Sequence, residues 1–127
     1  KHTIIIVGAG NIGHALTNFP GFAETGFEVK ALFDVNEDLI GTEIKGHPVL
    51  DVKDMDEYIR ENQIDIGVIA ARRSAAQEIA DRMCAAGIRG IWNFVPLDIT
   101  TSVPIENVHL SESLSTLSYK IEHGLLD

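Results

Sequence analysis

Glycines stand at positions 8, 10 and 13 of the stretch "IIIVGAGNIGHAL", residues 4–16, immediately after an apolar run and at the start of a helical pattern. A backbone left bare at this spacing suits the approach of a pyrophosphate. Gly8 permits a tight turn, Gly10 lets the ligand close in, and Gly13 lets the following helix pack against the strand. The helix start then offers free N–H groups and a partial positive charge. Asp34 lies 21 residues beyond Gly13, at the end of a second apolar run. A carboxylate there takes both hydroxyls of an adenosine ribose and repels a 2′-phosphate, so NADH or NAD is expected rather than the 2′-phosphorylated form. No arginine follows at once, the next residues being Val35, Asn36 and Glu37. The loop Gly8, Ala9, Gly10, Asn11, Ile12 and Gly13, with Asp34 and Val35, is therefore the candidate cofactor site. Ala70, Ala71 and Arg72 at the end of a later strand are expected to border it. The competing reading is a glycine-rich turn that binds nothing, with Asp34 merely capping a turn.

Groups that could do chemistry on such a ligand are sparse. The five histidines (His2, His14, His47, His109, His123) are scattered without metal-ligand spacing. No Ser–His–Asp or Cys–His set and no paired carboxylates stand out. Neither a catalytic residue nor a metal site is expected, and the chain reads as a binding domain rather than an enzyme. Cys84, the single cysteine, falls in an apolar helical pattern and reads as a small core residue. A lone cysteine cannot form an internal disulfide, which agrees with a reducing, cytoplasmic setting.

The elements that must hold these residues alternate. Strands are expected at residues 3–7, 27–33, 47–50, 64–70, 88–93 and 106–110. Helices are expected at 11–19, from an Asp54 cap to Asn62, from a Ser74-Ala75-Ala76-Gln77 capping box to Gly87, and from a Ser111 cap to about Gly124, with Glu112 in its first turn. Apolar strands alternating with helices imply an α/β fold, a doubly wound parallel sheet of Rossmann type covered on both faces. At 127 residues, 45% of them hydrophobic, the chain can bury one core. Its net charge of −9 argues against nucleic-acid binding by this segment itself. No apolar run reaches the roughly 18 residues of a membrane helix. The chain starts directly on a strand, without Met, as a piece of something longer would. The apolar stripe Leu114, Leu117, Ile121 and Leu125 on the last helix could pack on its own domain or on a second copy.

Together these segments resemble one family, the Rex redox-sensing transcriptional repressors. The resemblance runs through "IVGAGNIGHAL", "GFAETGFEVKALFDVNEDLIGTEIKGHPV", "AAQEIADRMCAAGIRGIWNFVP" and "LSESLSTLSYKI". It implies an NADH- or NAD-binding sensor domain (residues 1–110) and a C-terminal helix (111–127) exchanged within a homodimer. DNA would be bound only by an N-terminal winged-helix domain outside this chain. It further implies that Asn93, Phe94 and Pro96 match the family's "NF-x-P", that Leu114, Leu117 and Tyr119 match its last helix, and that His109 lies near the nicotinamide. Two places depart from the pattern. Ala71-Arg72-Arg73 replaces the usual "VPA", and its arginines could face phosphates or solvent. His109-Leu110-Ser111 stands where "DLS" is common. A cofactor-binding fragment of a nicotinamide oxidoreductase, or a domain binding coenzyme A, is the alternative.

Overall fold

The computed structural model describes residues 2–126, apart from the side chains of residues 110–112. Strand β1 (His2–Val7) leads through α1 (Asn11–Thr17) and a single-turn α2 (Gly21–Glu24) to β2 (Phe27–Asp34). A short hairpin, β3 (Glu43–Ile44) and β4 (His47–Asp51), follows, then one 3-10 turn (Val52–Asp54) and α3 (Met55–Asn62). β5 (Ile66–Ile69), α4 (Arg73–Ala86), β6 (Gly90–Asn93), β7 (Ile105–Asn107) and α5 (Leu110–Glu122) complete the chain. The strands form one sheet in the order β3-β4-β2-β1-β5-β6-β7, parallel except for β3, which runs antiparallel to β4. The expected doubly wound α/β sheet is present.

Strand side chains alternate between faces, so a strand covered on both sides must be apolar throughout. β1 obeys this. Ile5 and Val7 enter one core with Ala31 and Phe33 of β2, Met55 and Ile59 of α3, and Ile79, Ala80 and Met83 of α4. Ile4 and Ile6 enter the opposite core with Leu32, Phe22 of α2 and Val68. Each such side chain contributes roughly 1.5–3 kcal/mol on leaving water. At the amino ends of the strands Asp65 accepts hydrogen bonds from the Thr3 N–H (3.0 Å) and from Arg89 (3.3 Å). The Thr3 N–H first, and then Arg89 and His2, hold its carboxyl below the usual carboxylate range.

Several expected boundaries shift, each for a local reason. β3 and α2 have no counterpart in the sequence pattern, because two residues and one helical turn are too short to show a period. The hairpin turn uses Lys45 and Gly46 at φ 53° and 83°, a left-handed pair that suits a tight two-residue connection. The Ser74 capping box is not formed. α4 begins two residues earlier, with Arg72 at its N-cap and no side-chain cap bond, while Gln77 bonds Asp81 and the Thr100 carbonyl instead. Asp54 does sit at the N-cap of α3, also without a side-chain bond. Gly87 ends α4 in the left-handed conformation, as expected. The last expected strand, 106–110, stops at Asn107, and Leu110 already belongs to α5, whose N-cap is His109. The Ser111 cap and the Glu112 first-turn acid lie outside the described side chains. Leu114, Leu117, Ile121 and Leu125 stay exposed, between 49% and 72%. Cys84 is half-buried against the α3–α4 core.

Candidate functional site

The parallel strands end together at one edge of the sheet. β1 and β5 are neighbours there, with α1 leaving toward one face and α4 toward the other. Such a divergence opens a crevice in doubly wound folds. A cleft of about 420 Å³ occupies it, lined by Gly8, Gly10, Asp34, Val35 and the chain from Ala70 to Arg72, with Val52 and Arg82 at its outer end.

The three glycines do three different things. Gly8 sits at φ +112° and donates its N–H to the Phe33 carbonyl (2.7 Å). A Cβ there would run into the Ala70 carbonyl of the neighbouring strand end. Gly13 is buried in the first turn of α1, and a Cβ on it would overlap the Gly8 carbonyl oxygen, so the helix lies directly on the loop. Gly10, the α1 N-cap, is extended (φ −79°, ψ −152°), and a Cβ there would meet nothing within 4 Å. The fold itself needs Gly8 and Gly13, while Gly10 borders open space in the cleft. The first-turn N–H groups of Asn11, Ile12 and Gly13 have no acceptor four residues back.

Asp34 faces this loop. One carboxylate oxygen accepts from the Ala9 N–H (2.8 Å), and the other from Val35 N–H (2.7 Å) and Asn36 N–H (2.9 Å). It therefore does cap a turn, and it also ties that turn to the glycine loop. Three of roughly four lone-pair positions are engaged, and Asp34 still lines the cleft. Val35 is 61% exposed at its mouth.

Beyond β5, Arg72 borders the cleft and Arg73 does not. Asn93 ends β6 and Phe94 follows it, both outside this cleft. The Asn93 side chain is fully buried. Its amide donates to the Val95 carbonyl (3.0 Å) and to Asn107 Oδ1 (3.0 Å), and its oxygen accepts from Val95 N–H (2.9 Å). Asn93 thus holds the loop after β6 in place. Phe94 packs edge-on against Trp92 at 4.8 Å. His109 follows β7 and is exposed. Along the row of strand ends these three continue away from the glycine loop on the side opposite Asp34.

Sequence reasoning missed the α4 wall of the cleft: Ala75, Glu78, Ile79 and Arg82. The signal was their spacing of three, one and three residues, which is one helical stripe, but the same spacing also reads as a plain core face. Among the described residues no group of three or more His, Cys, Asp or Glu is placed to hold a metal ion, and no helix is long and apolar enough to cross a membrane.

A second depression, about 630 Å³, lies on the α1–α2 face of the sheet. Its walls are almost wholly apolar and include Phe19, Phe22, Trp92 and Ile105.

Comparison with known proteins places this geometry. The family model described as "CoA binding domain" matches residues 1–97. The Redox-sensing transcriptional repressor Rex of Clostridioides difficile (strain 630) is 46% identical over 125 residues, 97% of this chain and 60% of the relative. The crystal structure of RSP in complex with beta-NADH superposes with a TM-score of 0.92 at 43% identity, covering 98% of this chain and 61% of that one. RSP in complex with beta-NAD+ and operator DNA superposes at 0.93, covering 98% of this chain and 58% of that one. The chain thus spans about 60% of the length of these relatives. A UDP-D-quinovosamine 4-dehydrogenase from Vibrio fischeri, at 16% identity and a TM-score of 0.66, shares the fold alone. By the family model the chain belongs to the CoA-binding domain family, and over nearly its whole length it is similar in sequence and fold to the Rossmann-like part of the Rex repressors.

Proposed function

We propose that this chain is the NAD(H)-binding sensor domain of a redox-responsive transcriptional repressor, working by binding and not by catalysis. The observation that carries the reading is the open space at Gly10 beside the Asp34 carboxylate, in the crevice where the strand order reverses. The pyrophosphate lies along Gly8–Gly13 and takes the free N–H groups of the loop. Asp34 takes the adenosine ribose, and Arg72 stands where it can reach a phosphate. Ala70 and Ala71 form the far wall. The nicotinamide half extends over the ends of β5 and β6 toward Phe94 and His109. The RSP structures in complex with beta-NADH and with beta-NAD+ support this ligand. The description of the family model favours coenzyme A as the second reading. Asp34 argues against it, since a 3′-phosphate on the ribose would stand beside a carboxylate.

Calorimetric titration with NADH, NAD, NADPH and coenzyme A tests the reading. NADH and NAD should bind at least about tenfold more tightly than the two ribose-phosphorylated ligands, a difference of about 1.4 kcal/mol. Coenzyme A binding more tightly than NADH would replace the reading with the alternative. Asp34→Ala should weaken NADH by about 10- to 100-fold, since hydrogen bonds to a charged group contribute roughly 1.5–3 kcal/mol. It should also narrow the gap between NADH and NADPH. Loosening of the Ala9 N–H tie alone would weaken both ligands equally and leave the gap unchanged.

Two further parts belong to the same reading. DNA is contacted through a winged-helix domain outside this chain, in keeping with the net charge of −9 here. The partner is a second copy, joined through α5. The exposed leucines of α5 and the bare apolar depression on the sheet face support that assembly, since each leucine buried contributes roughly 1.5–3 kcal/mol. A chain ending before Ser111 should sediment as a monomer or aggregate. A clean dimer from that truncated chain would place the interface elsewhere.

A further inference from the structure

Arg82 reaches across the outer end of the cleft from α4 to the other side of its floor. Its Nε donates to Asp56 Oδ1 (2.9 Å), one terminal nitrogen donates to the Val52 carbonyl (2.7 Å), and that same nitrogen lies 2.8 Å from Asp56 Oδ1 as an ion pair. Its side chain is only 25% exposed, and it lines the cleft. Two hydrogen bonds and an ion pair to two groups hold the guanidinium in one plane. They use much of its in-plane edge and leave its flat faces and the second terminal nitrogen. A planar cation held this way is built to stack on an aromatic ring, and its ordering entropy is spent before any ligand arrives.

The position agrees with the shape of a nucleotide. Strand order puts the end of β4, where Val52 begins the 3-10 turn, outboard of Asp34 and two strands from the glycine loop. A ligand with its pyrophosphate at Gly10 and its ribose at Asp34 must carry its base outward past Asp34. There the cleft offers the apolar side chains of Val35, Val52 and Ile79 together with Arg82. We propose that Arg82, held flat by Asp56 and the Val52 carbonyl, is the surface on which the purine base of the bound nucleotide stacks, and so sets the preference of the cleft for adenine. This inference rests on the dinucleotide reading of the cleft.

The experiment is calorimetric titration of the parent chain, Arg82→Lys and Arg82→Met with NADH, ADP and UDP, each variant first checked by thermal melting. Lysine can keep the ion pair to Asp56 but has no plane, so Arg82→Lys remains informative if Arg82→Met does not fold. Either folded variant should bind ADP and NADH about fivefold or more weakly, with UDP changed less than about twofold, in line with a cation stacked on a partly desolvated ring. A purely structural clamp between α3 and α4 would weaken ADP and UDP by the same factor, and that result overturns the proposal. So does parent-strength ADP binding by Arg82→Lys. A parent chain that binds neither NADH nor ADP overturns the dinucleotide reading of the cleft, and the proposal with it. Parent binding of NADH with no purine preference overturns the proposal alone.

Discussion

A Gly10→Val chain should fold like the parent and bind NADH at least about 100-fold more weakly, a loss of about 2.7 kcal/mol or more. The backbone at position 10 is already extended, which any residue adopts, and a Cβ there meets nothing within 4 Å. Replacing a glycine N-cap by valine costs about 1 kcal/mol. In a domain of this size that lowers the melting temperature by roughly 4 °C. The space the valine fills is the space a pyrophosphate needs, beside N–H groups that have no other acceptor. The damage therefore falls on the ligand. Thermal melting and calorimetry on the same preparation check both halves. A folded Gly10→Val chain that binds NADH at full strength would remove the glycine loop from the site.

Three residues on, the opposite outcome is expected. Gly13→Ala should cost about 3 kcal/mol of stability, near the upper end for an overpacked site, and lower the melting temperature by about 10 °C. Its Cβ would land on the Gly8 carbonyl oxygen. That atom is backbone and cannot swing aside as a side chain would. Gly8 is itself pressed against the Ala70 carbonyl and fixed by its bond to Phe33. Relief would require α1 to lift from the sheet, which pulls Leu16 away from the core it packs on. Urea unfolding of parent and variant measures the difference. A Gly13→Ala chain of parent stability would show that α1 can shift without cost and that close packing does not explain this glycine. On the proposed reading, two glycines of one motif would separate into a binding position and a folding position.

The alternation of strands and helices, the glycine loop and Asp34 were legible from the residues alone because each is written in local terms. An apolar run covered on both faces, a fixed glycine spacing and an acid at a strand end need only neighbours in sequence to be recognised. Quoted motifs carried the family resemblance, and the fold agrees with it. Ser74 and Gln77 satisfied a capping pattern as well as any pair can, yet α4 starts at Arg73. Gln77 found the Thr100 carbonyl, a partner 23 residues away that no local rule could weigh. Resemblance puts Asn93 near the site, and its hydrogen bonds to Val95, Leu97 and Asn107 are ones that only the folded loop supplies.

Arg82 shows the same division most clearly. In the sequence it is one charge on a helix. In the fold its guanidinium meets Asp56, 26 residues earlier, and the Val52 carbonyl, 30 residues earlier. The sequence by itself determined the main strands and helices, though not β3 or α2, that the sheet is buried on both faces, and which glycine loop and acid are the candidates to hold a phosphate and a ribose, because those depend on periodicity and on backbone freedom along the chain. Tertiary structure alone decided which glycine borders open space, which arginine is held flat at the cleft, and that the α5 leucines stay exposed on their own chain. Those outcomes depend on what lies across space from each residue, and packing of distant segments sets that distance.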